Sequence, residues 1–270
     1  MVRVLKHMNL VFFVIMIGVN IIANVMPLGH GKTGVISEKY PNMFTPAPIT
    51  FSIWGIIYIL VGFFITYQCC FLDSNLFTGI FINQIGYWFI ISCIMNIGWL
   101  FSWHYERIGL SMIFMVGLLC SLIIITRRLL PAEIAHITGS SIIPFFAKIS
   151  TYGFDIYLGW IVAATIANMS VLLVKLRWNR FGMSEELTTI IVLVLGIMLA
   201  VLMVAVSKRY FAALAIAWAY GGILIKHVSQ KGYAGKYPLV AIYAGVGVAA
   251  IIVSCVVKFA ISNRFIDKYF

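Results

Sequence analysis

The chain has 270 residues, of which 63% are hydrophobic and 10% charged, against roughly 45–50% and 25% in soluble domains. No soluble fold of this length hides so much apolar surface, so the composition points to an all-α integral membrane protein. The formal charge of +11 would suggest nucleic acid in a soluble chain, but Lys and Arg sit between apolar runs, where lipid headgroups are the partner and nucleic acid is not.

A helix needs roughly 20 apolar residues to cross a bilayer, and the chain offers about eight such windows. They fall near Asn9–Met26, Thr50–Phe71, Thr78–Ser102, Ile108–Thr126, Tyr152–Val174, Leu187–Ser207, Tyr210–Lys226 and Leu239–Ala260. The runs are continuous rather than alternating, which favours helices over a barrel. Arg3 and Lys6 before the first run imitate a secretory signal. No small-residue cleavage site follows before Pro27, and Asn20 and Asn24 interrupt the run, so it reads as a retained span. The fold class is therefore a polytopic, multi-pass helical bundle.

Two connections, Leu28–Ile49 and Arg127–Thr151, are long enough to carry structure of their own along the interface. The charged stretch Lys175–Glu186 reads as a joint between a five-helix part, residues 1–178, and a three-helix extension, residues 179–270. The positive-inside rule leaves orientation open: with eight spans, ten Lys and Arg fall on one side and nine on the other. The cysteines Cys69, Cys70, Cys93, Cys120 and Cys255 have no Cys-x-x-Cys spacing and read as reduced, packed thiols, with palmitoylation of Cys69 or Cys70 as the alternative.

Charged groups within a span usually mark ion or proton pathways. None is expected near mid-span, because Asp155, His104, His227 and Lys226 all fall near the ends of their windows. Buried polarity is carried instead by amides: Asn20 and Asn24 in the first window, Asn83, Gln84 and Asn96 in the third, and Asn168 in the fifth. Each needs a partner in hydrocarbon, and interhelical hydrogen bonding is the plain reading. In the fifth window, at about 100° per residue, Tyr157, Trp160, Ala164 and Asn168 share a sector about 80° wide. Trp99 lies one turn from Asn96, and Trp54 one turn before Tyr58. Such faces suit a flat, largely apolar ligand with a few polar edges. Trp103 and Trp178, beside charged loops, read as interface anchors.

These residues carry a family resemblance. The segment PNMFTPAPITFSIWGIIYILVGF, with Pro46, Pro48, Phe51, Trp54 and Tyr58, resembles the loop and second helix of tryptophan-rich sensory proteins, the TspO/MBR or translocator protein family. NIGWLF, with Asn96 and Trp99, resembles its Asn-x-x-Trp motif. YLGWIVAATIAN, with Tyr157, Trp160, Ala164, Thr165 and Asn168, resembles its Tyr-x-x-Trp and following Ala-Thr and Asn. The resemblance covers roughly residues 1–178. Ile156 stands where the family commonly has proline, Ala47 separates prolines that are adjacent in the family, and the extra spans are those of longer bacterial relatives.

The resemblance implies a five-helix TspO-like core, extended here by three helices, in a bacterial cell membrane. It further implies a pocket for a tetrapyrrole such as porphyrin or haem, with ligand-binding residues Trp54, Tyr58, Asn96, Trp99, Tyr157, Trp160, Ala164 and Asn168, and a role as sensor, receptor or transporter. No cofactor is required, and no catalytic or metal-ligating residue is assigned. The partners expected are membrane lipids and a hydrophobic small molecule, and the small residues of the last two windows leave room for a homo-oligomer. Two alternatives stay open: porphyrin-degrading chemistry, for which no metal cluster, Ser/His/Asp set or phosphate loop is visible, and a structural or accessory protein whose indoles and amides serve packing alone.

Overall fold

The structure, a computed structural model, describes residues 2–26, 28, 29, 31, 33–71, 76–129 and 142–269. Ten helices are present among them: α1 Val2–Val25, α2 Thr33–Glu38, α3 Ile53–Phe71, α4 Leu76–Ile85, α5 Trp88–His104, α6 Ile108–Arg128, α7 Ile142–Lys175, α8 Glu185–Ser207, α9 Tyr210–Val228 and α10 Pro238–Tyr269. Short 3-10 turns cover Pro48–Ser52 and Arg180–Gly182. No strand occurs among the described residues. Seven helices are long and apolar enough to cross a membrane, and an eighth span results if the bent pair α4 and α5 counts as one.

That pair corrects the third window, which reads as continuous. The two helices meet at 49°, and the break is Gly86, whose φ of +56° lies in the left-handed region where a side chain costs about 1–2 kcal/mol. Hydropathy summed over a window does not register one glycine. The guanidinium of Arg128 lies 6.0 Å from the Trp88 ring centroid, a cation–π contact just past the bend.

A second correction concerns α7, which begins at Ile142, ten residues before the expected Tyr152. Pro144, which falls in the expected connection Arg127–Thr151, stands in the first turn, where a missing N–H breaks no helical hydrogen bond. Its 34 residues extend roughly 51 Å at about 1.5 Å each, more than the bilayer core of about 30 Å. Asp155 consequently lies well inside the span that runs from Phe145 to Lys175 and is buried. The reading that placed it near a window end does not hold. The connection Leu28–Ile49 does carry structure, in α2 and the turn that opens at Pro48.

Contacts divide the chain into two compact units, Met1–Lys39 with Ile53–Ile161, and Tyr40–Ser52 with Val162–Phe270. In the first, α1 packs on α3, α4 and α5, and α5 packs on α6. Its middle is a layer of rings around Phe64, whose centroid lies 5.2 Å from Phe89, 5.4 Å from Phe154 and 6.2 Å from Phe81. These are edge and tilted contacts of the kind aromatic quadrupoles favour. Toward one end the Asn9 side chain donates to Gln68 Oε1 at 3.0 Å. At the other, Lys39 pairs with Glu106.

In the second unit α10 packs along both α8 and α9, and α8 also touches α9. The small residues Ala212, Ala213, Ala219 and Gly222 of α9 are buried, as small residues that let helices approach closely should be. Tyr220 of α9 lies in the space left by Gly196 of α8 and Gly247 of α10 and donates to the Leu193 carbonyl at 2.7 Å. The segment 40–52 belongs to this unit and is pinned along its length. Tyr233 donates to the Asn42 carbonyl at 3.1 Å, Met43 N–H to Glu185 Oε1 at 3.2 Å, Ala47 N–H to the Gly222 carbonyl at 3.0 Å, and Trp218 Nε1 to the Thr50 carbonyl at 2.9 Å. Burial, with the Glu185 carboxylate adding to it, pushes the Tyr233 phenol above its ordinary range, so it stays a neutral donor. Of the cysteines, Cys93 and Cys255 are buried, whereas Cys70 and Cys120 are exposed on their helices.

Candidate functional site

The site is built on four helices of the first unit. From α3, Trp54 and Tyr58 stack on each other one turn apart, centroids 5.4 Å. From α5 comes Trp99, stacked on Trp54 at 6.0 Å. From α7 come Tyr157 and Trp160, both edge-on to Trp54 at 5.7 Å and 6.1 Å. Trp54 is therefore the centre of the cluster, touching rings from all three helices. It is half-buried, while Trp99, Tyr157 and Trp160 are buried.

An amide chain runs alongside. Tyr58 donates its hydroxyl proton to Asn20 Oδ1 at 2.7 Å. Asn20 donates to Asn96 Oδ1 at 2.8 Å and to its own-helix carbonyl at Met16 at 2.9 Å. Asn96 donates to the Tyr157 hydroxyl at 3.0 Å. Four helices are thus joined through four polar side chains, in surroundings where an unmade hydrogen bond leaves a group with no water to turn to. The Tyr157 oxygen accepts in this chain, which leaves its own proton available to an acceptor.

Six of the eight expected ligand-contacting residues, Trp54, Tyr58, Asn96, Trp99, Tyr157 and Trp160, are brought together. Ala164 and Asn168 continue along α7 one and two turns further on and fall in the second unit, where Asn168 is buried and Ala164 half-buried. Asn20, for which the sequence predicts interhelical hydrogen bonding, makes it to two other helices and is the hub of the chain. Its signal was an amide in an apolar run, but nothing local named its partners 38 and 76 residues away. Trp103 is not an interface anchor: it is buried, stacks on Trp99 at 6.1 Å, and donates its indole N–H to the Thr33 carbonyl at 3.2 Å. Its position one turn after Trp99 on the same helix was the available clue.

The ring distances are those of direct contact. A flat molecule sandwiched between two rings needs them about 7 Å apart, twice the roughly 3.5 Å of carbon–carbon contact. The rings described here are closed on one another, and a stacked ligand would have to part them.

Fold and site together define a polytopic helical membrane protein with a buried aromatic and amide cluster joining four of its helices. Residues 6–257 match the sequence model of a family described as TSPO-like protein, and the chain belongs to that family. The match continues past residue 178 through most of the C-terminal helices. No curated protein and no solved structure matches the chain.

Proposed function

We propose that the protein binds a tetrapyrrole, or a similar flat hydrophobic molecule, at the Trp54 cluster and serves as a membrane sensor or transporter for it. The observation that carries this reading is the meeting of Trp54 with Tyr58, Trp99, Tyr157 and Trp160 inside the membrane-spanning part of the chain. Four rings about one half-buried indole offer stacking faces, and the Tyr157 hydroxyl proton offers a donor to a carboxylate or ring edge. Trp54 is the least buried of the three tryptophans, so it is the ring that moves to admit the ligand.

The closed packing of the rings favours a second reading, in which the cluster is a structural core with no ligand. A titration of the purified protein in lipid nanodiscs with protoporphyrin, read at the porphyrin Soret band, separates the two. The proposal predicts saturable binding that Trp54→Ala weakens at least tenfold while the protein stays folded by circular dichroism. Equal affinity in the variant, or no saturable binding to the parent protein, removes the proposal and leaves the structural core.

A further inference from the structure

A second site lies wholly within the second unit. Where α7 passes into α8, a cavity of about 70 Å³ is lined by Ser170, Trp178, Arg180, Glu185, Thr188 and Thr189, with Phe44 and Leu173 forming an apolar side. Arg180 and Trp178 belong to the connection between the spans that end at Lys175 and begin at Glu185. The cavity is therefore at headgroup level rather than in hydrocarbon.

Its polar groups are divided by sign. The Arg180 Nε is buried and has no hydrogen-bond partner, an arrangement that costs free energy unless something else accepts from it. Glu185 lines the same cavity, but its carboxylate takes the Met43 N–H and forms no ion pair with Arg180. The hydroxyls have spent their protons: Ser170 donates to the Ile166 carbonyl at 3.0 Å, Thr188 to the Ser184 carbonyl at 2.9 Å, and Thr189 to the Glu185 carbonyl at 2.8 Å. Towards the cavity they offer only lone pairs. Beside the apolar residues and the Trp178 indole, the cavity therefore presents the Arg180 cation and, apart from it, the Glu185 carboxylate with the hydroxyl oxygens as neutral acceptors.

A single ion does not satisfy both. The complement is a small zwitterion, its anionic end on the guanidinium fork and a donor-bearing cation among the acceptors. A primary ammonium, with three N–H groups, fits that second role; a trimethylammonium has none to give. At about 10–15 Å³ per water the space holds roughly five waters, enough for a group the size of phosphoethanolamine. The connection is also held in unusual backbone: Arg177, Arg180 and Phe181 all have φ between 52° and 56°, a left-handed conformation that surrounding structure must sustain.

We propose that this cavity binds a phosphoethanolamine group, with its phosphate on Arg180 and its primary ammonium on Glu185. The same group is found at the head of a phospholipid and as a free solute, and the test distinguishes them. The full chain is placed in mixed nanodiscs of phosphatidylethanolamine, phosphatidylcholine and phosphatidylglycerol, and retained lipid is read by native mass spectrometry. In parallel, free phosphoethanolamine is titrated calorimetrically into the protein in phosphatidylcholine nanodiscs.

Retention of phosphatidylethanolamine at least tenfold over both other lipids, lost in Arg180→Gln and in Glu185→Gln, supports the lipid source. Saturable binding of the free solute with no lipid preference, abolished by the same variants, supports the soluble source. Glu185→Gln keeps an oxygen for the Met43 N–H, and a thermal melt of each variant confirms that the loop survives. The proposal is overturned if neither form binds or if binding is indifferent to Arg180→Gln. Phosphatidylglycerol or inorganic phosphate competing equally, with Glu185→Gln without effect, would also overturn it, because the site would then be a plain anion site.

Discussion

Replacing Asn20 by Leu, which is close to it in size, isolates the polar contribution of the interhelical chain from any cavity. Asn20 makes two contacts between helices, to Asn96 at 2.8 Å and from Tyr58 at 2.7 Å. Interhelical hydrogen bonds in bilayers are worth about 0.6 kcal/mol on average and up to about 1.7, and stranding a buried partner adds about 1–3 kcal/mol. Two such bonds, with Asn96 Oδ1 and the Tyr58 hydroxyl left behind, predict a loss of about 2–3 kcal/mol. Reversible unfolding in mixed micelles measures it. A double-mutant cycle with Asn96→Leu should return a coupling of about 0.6–1.7 kcal/mol. If the two substitutions add to within about 0.3 kcal/mol, the side chains do not act on each other and the chain linking α1, α3, α5 and α7 is not what joins them.

Three further substitutions test other parts of the fold. Gly222→Ala would drive a methyl group into the Thr50 side chain and should cost about 1–3 kcal/mol; adding Thr50→Gly, which removes the clashing Cβ as well, should return part of it, and failure to do so would show that the segment 40–52 is not seated on α9. Gly86→Ala, at φ +56°, should cost about 1–2 kcal/mol in the same unfolding assay, and a neutral result would mean that α4 and α5 are not broken there. Lys39→Ala removes a partly exposed pair with Glu106 and should change stability by less than about 1 kcal/mol, with the difference shrinking further as salt is raised.

Most of the architecture was legible because apolar runs of bilayer length cannot be put to another use in one chain, and each expected window contains a helix or, for the third, a bent pair. What the runs do not carry is local geometry. Gly86 bends a helix without changing its hydropathy, and α7 runs ten residues ahead of the apolar window that opens at Tyr152. An apolar window marks the span and not the helix, which is why the depth of Asp155 was misplaced. At the site, Trp54, Trp99 and Trp160 were legible through helical spacing and motif order. Asn20 was visible as a polar intrusion but not as a hub, since its partners come from other helices, and Trp103 was misread because the charge next to it in the chain says nothing of the α2 backbone that covers it.

We propose that the closed Trp54 rings are opened by a flat ligand. A structure of the protein in a bilayer with protoporphyrin tests this most directly. The expected result places the macrocycle against Trp54, with the Trp54–Trp99 and Trp54–Trp160 centroids parted from 6.0 Å and 6.1 Å to beyond about 7 Å. Rings found still in contact, with the porphyrin bound elsewhere or not at all, would contradict it.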